Sequence, residues 1–158
     1  MGVNGMVMNE KLIKLLATGF GAGLAPVAPG TAGTLVGVLI CLIFSPLHWL
    51  FRLLIVIFLL VLAVYIAERA EQVYRKKDDQ RIVIDEIAGF QVAMLPVAIT
   101  GLHLLVCFVL FRIFDIWKPF PIRDLQKISG GLGIVLDDVA AGIYTGVSML
   151  LLVFFGVL

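Results

Sequence analysis

Five carboxylates stand where this 158-residue chain enters or leaves apolar sequence: Asp85, Glu86, Asp115, Asp137 and Asp138. An acid in such a place is costly unless it binds something. Asp85-Glu86 open one apolar segment, Asp115 closes another, and Asp137-Asp138 fall in the first turn expected of a third. Neighbouring residues on a helix diverge by about 100°, so each acidic pair sends at least one member inward. Three helix ends can then aim three to five carboxylates at one point. Such a cluster repels itself. A hard divalent cation such as Mg²⁺ is the natural remedy, bound by carboxylates, water and phosphate oxygens. The simpler alternative is that acids favour helix N-termini through the macrodipole. That accounts for Asp85, Glu86, Asp137 and Asp138, but not for Asp115 at a C-terminal end.

Cations accompany the acids. Arg112, Asp115 and Lys118 are spaced i, i+3, i+6 and share a helix face, as either an ion-pair ladder or a phosphate-binding set. Arg123 and Lys127 follow in a loop, where they attract anionic headgroups or stay solvated. The glycine-rich runs APGTAGT and SGGLG lead into apolar helices. Such runs let backbone N–H groups approach an anion, and they equally let membrane helices pack closely. Neither run is a Walker A loop. Cys41 and Cys107 lie in apolar sequence without metal-ligand spacing and read as small buried hydrophobes. His48 and His103 fall at the opposite segment ends from the acids. No Gly-x-Ser-x-Gly is present, so nucleophilic triad chemistry is unsupported.

The elements that must position these groups are membrane segments. The chain is 61% hydrophobic and only 15% charged, with a mean hydropathy of +1.11; a soluble chain carries about 25% charge. The length suits one domain, residues 1–158. The net charge of +1 gives no reason to expect a nucleic-acid partner. The fold expected is all-α: a polytopic membrane helix bundle of about five segments plus an N-terminal amphipathic helix. Residues 9–17, with lysines at 11 and 14, give that surface helix. The apolar stretch after its lysines, LLATGFGAGLAPVA, is too short and glycine-broken for a cleaved signal peptide, so the N-terminus is read as retained. Thr31 is expected to cap a first segment running to about Phe44. A second runs through 47–67 with a polar helical extension. A third starts at Asp85-Glu86 and reaches about Ile99, and a fourth spans Leu102 to about Trp117. The loop 118–130 holds one short helix around 122–128, and a fifth segment covers about 134–157. Segments one and three are short for a span.

With the N-terminus inside, every charge except Arg52 falls on or near the inner face. Lys and Arg are biased inward as the positive-inside rule requires. A site at the cytoplasmic interface fits that one-sidedness, and a transport path through the midplane does not. From the residues alone, the site suits phosphoryl chemistry on an interfacial lipid, without a choice between hydrolysis and transfer.

Four blocks of the chain resemble the phosphatidylglycerophosphatase A family of bacterial membrane phosphatases: GFGAGLAPVAPGTAGT at 19–34, IVIDEIAGFQVA at 82–93, FRIFDIWKPFPI at 111–122 and GGLGIVLDDVAAG at 130–142. They occur in the family's order, with no departure at the acidic positions. The resemblance implies a multi-pass enzyme of the bacterial inner membrane with its site on the cytoplasmic side. The reaction implied is Mg²⁺-dependent removal of the terminal phosphate of phosphatidylglycerophosphate. Carried over, the metal residues are Asp85, Glu86, Asp115, Asp137 and Asp138, and the catalytic ones Asp115, Asp137 and Asp138. Arg112 and Lys118 hold phosphate, with Thr31 and Thr34 as further contributors. Asp137 or Asp138 orients the attacking water; an aspartyl-phosphate intermediate is the rival route. The loop KPFPIRDLQKISGG is expected to act as lid or headgroup contact. Two other readings remain. One is a phosphatidyl transferase, whose D-x-x-x-D pattern the chain lacks; the other is a divalent-ion-binding transporter or scaffold. Oligomeric state is left open.

Overall fold

The computed structural model describes residues 9–158, so the part of the topology expectation that concerns residues 1–8 lies outside it. Among the described residues there are seven α-helices and no strand. They are α1 (Glu10–Ala17), α2 (Pro29–Phe44), α3 (Trp49–Tyr74), α4 (Ile84–Met94), α5 (Gly101–Trp117), α6 (Ile122–Leu125) and α7 (Gly131–Phe154), with a 3₁₀ turn at Ala22–Leu24.

Two of these helices, α3 and α7, are long and apolar enough to cross a membrane. A span needs about 20 residues at 1.5 Å each. The 16 residues of α2, 17 of α5 and 11 of α4 fall short, so the expected five spans resolve into two full-length helices and three shorter ones. The outward faces of α2, α3, α5 and α7 are nonetheless apolar. Leu39, Ile43, Phe51, Phe58, Leu105, Ile113 and Val147 are among their exposed residues. An apolar perimeter of this extent belongs in lipid or against a partner.

The helix α4 is the inner one. Every residue except Glu86 and Val92 is buried, and α4 packs against α7, α2, α3 and α5. Its closest partner is α7. A Cβ on Gly89 would stand 2.7 Å from the Asp138 carbonyl oxygen, and one on Gly142 would stand 2.5 Å from the Gly89 carbonyl oxygen. The two backbones therefore touch where Gly89 and Gly142 face one another, the small-residue contact that lets membrane helices approach closely. Asp85 lies one turn from Gly89 and Asp138 one turn from Gly142, so the same crossing brings the two acids together. Gln91 ties α4 to α2, donating to the Gly37 carbonyl at 2.8 Å and accepting from the Cys41 thiol at 3.0 Å.

Two helix starts differ from expectation. Pro29, with its fixed φ, takes the first position of α2, so Thr31 is already helical and does not cap it; Ala28 is the cap residue. Helix α7 begins at Gly131 rather than about 134, because Glu68 Oε2 accepts the Gly131 N–H at 2.6 Å and satisfies a first-turn donor from outside. Asp137 and Asp138 therefore sit in the second turn, beyond the reach of the dipole preference. The short helix of the 118–130 loop covers Ile122–Leu125 rather than 122–128. It is pinned by the fully buried Ile122 and by Tyr144, whose hydroxyl donates to the Phe120 carbonyl at 2.8 Å.

The connections that carry charge meet at one end of the bundle. Val83 N–H donates to the Ala17 carbonyl at 2.8 Å, and Gln126 Nε2 donates to Asp78 at 2.9 Å. The α4–α7 contact predicts that Gly142→Ala lowers the thermal midpoint in detergent by several degrees, an overpacking cost of about 2 kcal/mol. Gly101→Ala, whose Cβ would meet nothing within 4 Å, leaves the midpoint near wild type. Equal midpoints for the two variants would remove this contact from the account.

Candidate active site

The five acids divide into two groups. Asp85, Glu86 and Asp138 each offer a carboxylate oxygen, and these oxygens lie within 4.8 Å of one another. Asp85 Oδ1, Glu86 Oε2 and Asp138 Oδ1 are buried with no hydrogen-bond partner among the described residues. Asp115 and Asp137 are instead engaged by cations. Arg112 Nη1 donates to Asp115 Oδ2 at 2.6 Å, and Lys118 Nζ lies 4.0 Å from Asp115 Oδ1 and is hydrogen-bonded to Asp137 Oδ2. Lys118 thus bridges the end of α5 to α7.

This division follows from the helices. Asp85 and Glu86 occupy the first turn of α4, where the macrodipole favours them. Asp115 ends α5 with Arg112 one turn before it. Lys118 terminates α5 at φ 48° and ψ 63°. That left-handed conformation is uncommon for a side chain longer than Asn, and it occurs where the chain must reverse and still present its ammonium group to α7.

The start of α2 covers the acids. A Cβ on Gly30 would stand 2.2 Å from Glu86 Oε1 and 3.3 Å from both Arg112 terminal nitrogens, so a side chain there would displace the Glu86 carboxylate. Thr34 Oγ1 donates to the Gly30 carbonyl at 2.9 Å and accepts from Arg112 Nη1 at 3.4 Å. Arg112 Nε is buried without a partner among the described residues. Thr31 is half-buried and shares a surface cleft with Arg112.

The three unpartnered oxygens decide what the site can hold. Buried polar atoms are almost always satisfied, and like charges this close repel strongly in a poorly solvated setting. An all-oxygen donor set with free lone pairs fits a small hard divalent cation. The structure thus brings Asp85, Glu86 and Asp138 together, and it sets Asp115 and Asp137 beside them on Arg112 and Lys118. Glu68, which anchors the start of α7, was not singled out in the sequence. It reads there as one charge of a polar helical extension, and its role depends on a contact 63 residues away.

The loop before α4 is fixed by Asp79. Arg81 donates to it from its backbone N, Nε and Nη2 at 3.0, 2.8 and 3.0 Å, and Lys76 lies 3.5 Å away. The Arg81 guanidinium is the main reason the Asp79 carboxyl is lowered to about 2. The Asp79 carbonyl also accepts the Ile82 N–H at 2.7 Å, which turns the chain into α4.

A family profile described as phosphatidylglycerophosphatase A matches residues 15–153. A Haemophilus influenzae protein named phosphatidylglycerophosphatase A is 38% identical over 135 residues, 84% of this chain and 83% of its own. An Escherichia coli protein of the same name is 35% identical over 131 residues, 82% of this chain and 76% of its own. A Bacteroides thetaiotaomicron protein with the provisional name phosphatidylinositol-3-phosphatase is 37% identical over 140 residues, 83% of this chain and 87% of its own. No solved structure matches the chain significantly.

Two outcomes are expected of this geometry. With metal chelated, Asp138→Asn relieves the crowding of the three acids and raises the thermal midpoint above wild type by about 3 °C, roughly 1 kcal/mol at this size. Adding Mg²⁺ then raises wild type more than the variant, by mass action; a variant that is less stable in chelator would count against the crowding of charge. Asp79 supplies a pH test. Its folded carboxyl is depressed, so its contribution is full above the unfolded value of about 4 and is lost as the pH falls through about 2. Asp79→Asn should therefore melt below wild type by a few degrees at pH 7, and scans at falling pH should show that gap closing below about pH 4.

Proposed function

The chain belongs to the phosphatidylglycerophosphatase A family, and from that premise we propose that its catalytic centre is the three-carboxylate cluster of α4 and α7. The activity is that of a lipid phosphatase: the terminal phosphate of phosphatidylglycerophosphate is hydrolysed, leaving phosphatidylglycerol and inorganic phosphate. The observation that carries the assignment of the centre is the set of buried, unpartnered oxygens on Asp85, Glu86 and Asp138. These three residues would hold Mg²⁺, which would supply Lewis-acid polarisation of the phosphoryl group and offset the charge that builds on it.

The remaining steps belong to the chain's own residues. Arg112 meets the phosphoryl oxygens, with its direction fixed by Asp115 and Thr34. Lys118 adds a second positive charge, held by Asp137 and Asp115. Asp138 takes a proton from the attacking water as its oxygen bonds to phosphorus and the phosphorus–oxygen bond to the glycerol breaks. That proton then serves the leaving alkoxide. Fixed cations around a phosphoryl group that gains charge are the main source of catalysis in such transfers. Asp115 and Asp137 act on this scheme by aiming Arg112 and Lys118.

The finer topology is also part of the proposal. In the five-segment topology eleven of the twelve Lys and Arg residues fall on or near the inner face; the exception, Arg52, donates to the Met94 carbonyl at 2.9 Å. That bias supports a multi-pass protein of the bacterial inner membrane with the site on the cytoplasmic face. The shorter α2 and α5 would cross with help from their flanking turns, and α4 would stay enclosed by its neighbours. The provisional name of the Bacteroides relative supplies a second substrate to test. Phosphatidylinositol 3-phosphate shares with phosphatidylglycerophosphate a distal monoester on a headgroup already joined through a phosphodiester.

Purified protein in detergent should release phosphate from phosphatidylglycerophosphate in Mg²⁺ and stop in EDTA. Asp85→Asn and Asp138→Asn should each lower kcat by about 10²–10³-fold, and Asp115→Asn and Asp137→Asn by at least about tenfold, with membrane insertion retained. Near-normal turnover in Asp85→Asn and Asp138→Asn would remove the cluster from the mechanism. Faster release from phosphatidylinositol 3-phosphate would reassign the substrate.

A further inference from the structure

We infer that the outer face of α5 is the track on which the lipid substrate lies, and that Arg123 reads its inner phosphodiester. The inference rests on the lipid-phosphatase reading above and adds to it a substrate-recognising residue outside the catalytic cluster.

A surface cleft runs along α5 between the start of α2 and α6. Thr31, Val109, Arg112, Ile113, Ile116 and Arg123 line it. Residues 109, 112, 113 and 116 recur at helical spacing, so they form one stripe along α5. Val109, Ile113 and Ile116 are 47, 48 and 72% exposed, which gives an apolar floor open to the surrounding bilayer. The polar part of the same cleft carries two guanidinium groups, and no carboxylate is among its described lining residues. The cleft is therefore apolar along its length and doubly positive at one part. A lipid with acyl chains and two phosphates matches that pattern. A neutral lipid, or a helix of ordinary apolar composition, supplies no anion to either guanidinium group.

The two arginines are not equivalent. Arg112 is 15% exposed, is held by Asp115 and Thr34, and keeps a buried Nε without a partner among the described residues. It stands between the cleft and the carboxylates, at Gly30 and Glu86, so it belongs to the phosphate that reacts. Arg123 is exposed on α6, and α6 itself is fixed by buried Ile122 and by the Tyr144–Phe120 hydrogen bond. Among the described residues Arg123 pairs with no carboxylate, so it is a cation on an anchored support. It meets the phosphate that stays with the lipid. A lipid bearing only a monoester has nothing for Arg123 to hold, so the pair selects headgroups that carry a phosphodiester inside and a monoester outside.

The test compares wild type with Arg123→Gln in mixed micelles. The variant should raise KM for phosphatidylglycerophosphate about tenfold and leave kcat within about twofold, and Arg123→Lys should recover most of the loss. Inhibition separates the two phosphates. Phosphatidylglycerol, which has only the diester, should inhibit the Gln variant about tenfold less well, whereas phosphatidic acid, which has only the monoester, should inhibit both proteins alike. An unchanged KM overturns the inference. So does a parallel loss for phosphatidic acid, since Arg123 would then be a general attractor of anionic surfaces. A second measurement does not depend on turnover. Phosphatidylglycerol with a diazirine in one acyl chain should label residues 109–116 well above residues 54–61 on the outer face of α3, and Arg123→Gln should reduce the difference. Even labelling of both faces overturns the track. A wild-type protein that leaves phosphatidylglycerophosphate intact contradicts the activity itself, and the photolabel still decides whether the cleft takes a diester lipid.

Discussion

Three carboxylates that cannot avoid one another govern this structure. Asp85 and Asp138 are carried into contact by two helix backbones that touch at Gly89 and Gly142, and Glu86 joins them from the same first turn of α4. The crossing cannot relax to separate the charges without opening the α4–α7 interface, where α4 is almost wholly buried. The repulsion is therefore built in whenever the three acids are ionised, and a cation from outside the triad relieves it. A fold that bears such a conflict at one place, with local rules satisfied elsewhere, marks that place as functional.

The surroundings sort charge by task. Arg112 and Lys118 stay close but are committed to Asp115 and Asp137, so they do not simply neutralise the triad. The result is a negative pocket for a cation with positive groups at its edge for an anion. A metal-assisted phosphoryl transfer uses both, a site for the cation and positive groups for the phosphate. Glu68 and Asp79 serve this arrangement from a distance. The first fixes where α7 begins, the second fixes the turn into α4, and together they set the depth of the acids on each helix.

Much of this was legible in the sequence. Apolar segments, prolines and glycines placed the helices to within a few residues, and the acids at segment ends announced a site. The four family blocks, from 19 to 142, fall within the residues 15–153 that the family profile matches. What was not legible depended on contacts between distant residues. The start of α7 moved to Gly131 because Glu68 satisfies its N–H, and no local signal in SGGLG records that partner. Thr31 looked like a cap because hydroxyl residues favour that role, yet Pro29 starts a helix equally well two residues earlier. The five acids read as one set because each lies at a segment end. Their division into a bare triad and two ion-paired members depends on the rotation of each helix about its axis, which periodicity constrains only loosely. The count of five spans rests on hydropathy; α3 and α7 have the length of a full span, and α4, also apolar, is short and enclosed by its neighbours.

The central claim is that Asp85, Glu86 and Asp138 together bind the divalent cation on which hydrolysis depends. Mn²⁺ titrated into the purified protein, with the free ion followed by its electron paramagnetic resonance signal, tests it directly. Wild type should take up Mn²⁺ in a manner that Mg²⁺ competes away, and Asp85→Asn/Asp138→Asn should weaken that uptake by at least about tenfold, while Asp115→Asn changes it little. Equal uptake by wild type and the double variant would contradict the claim.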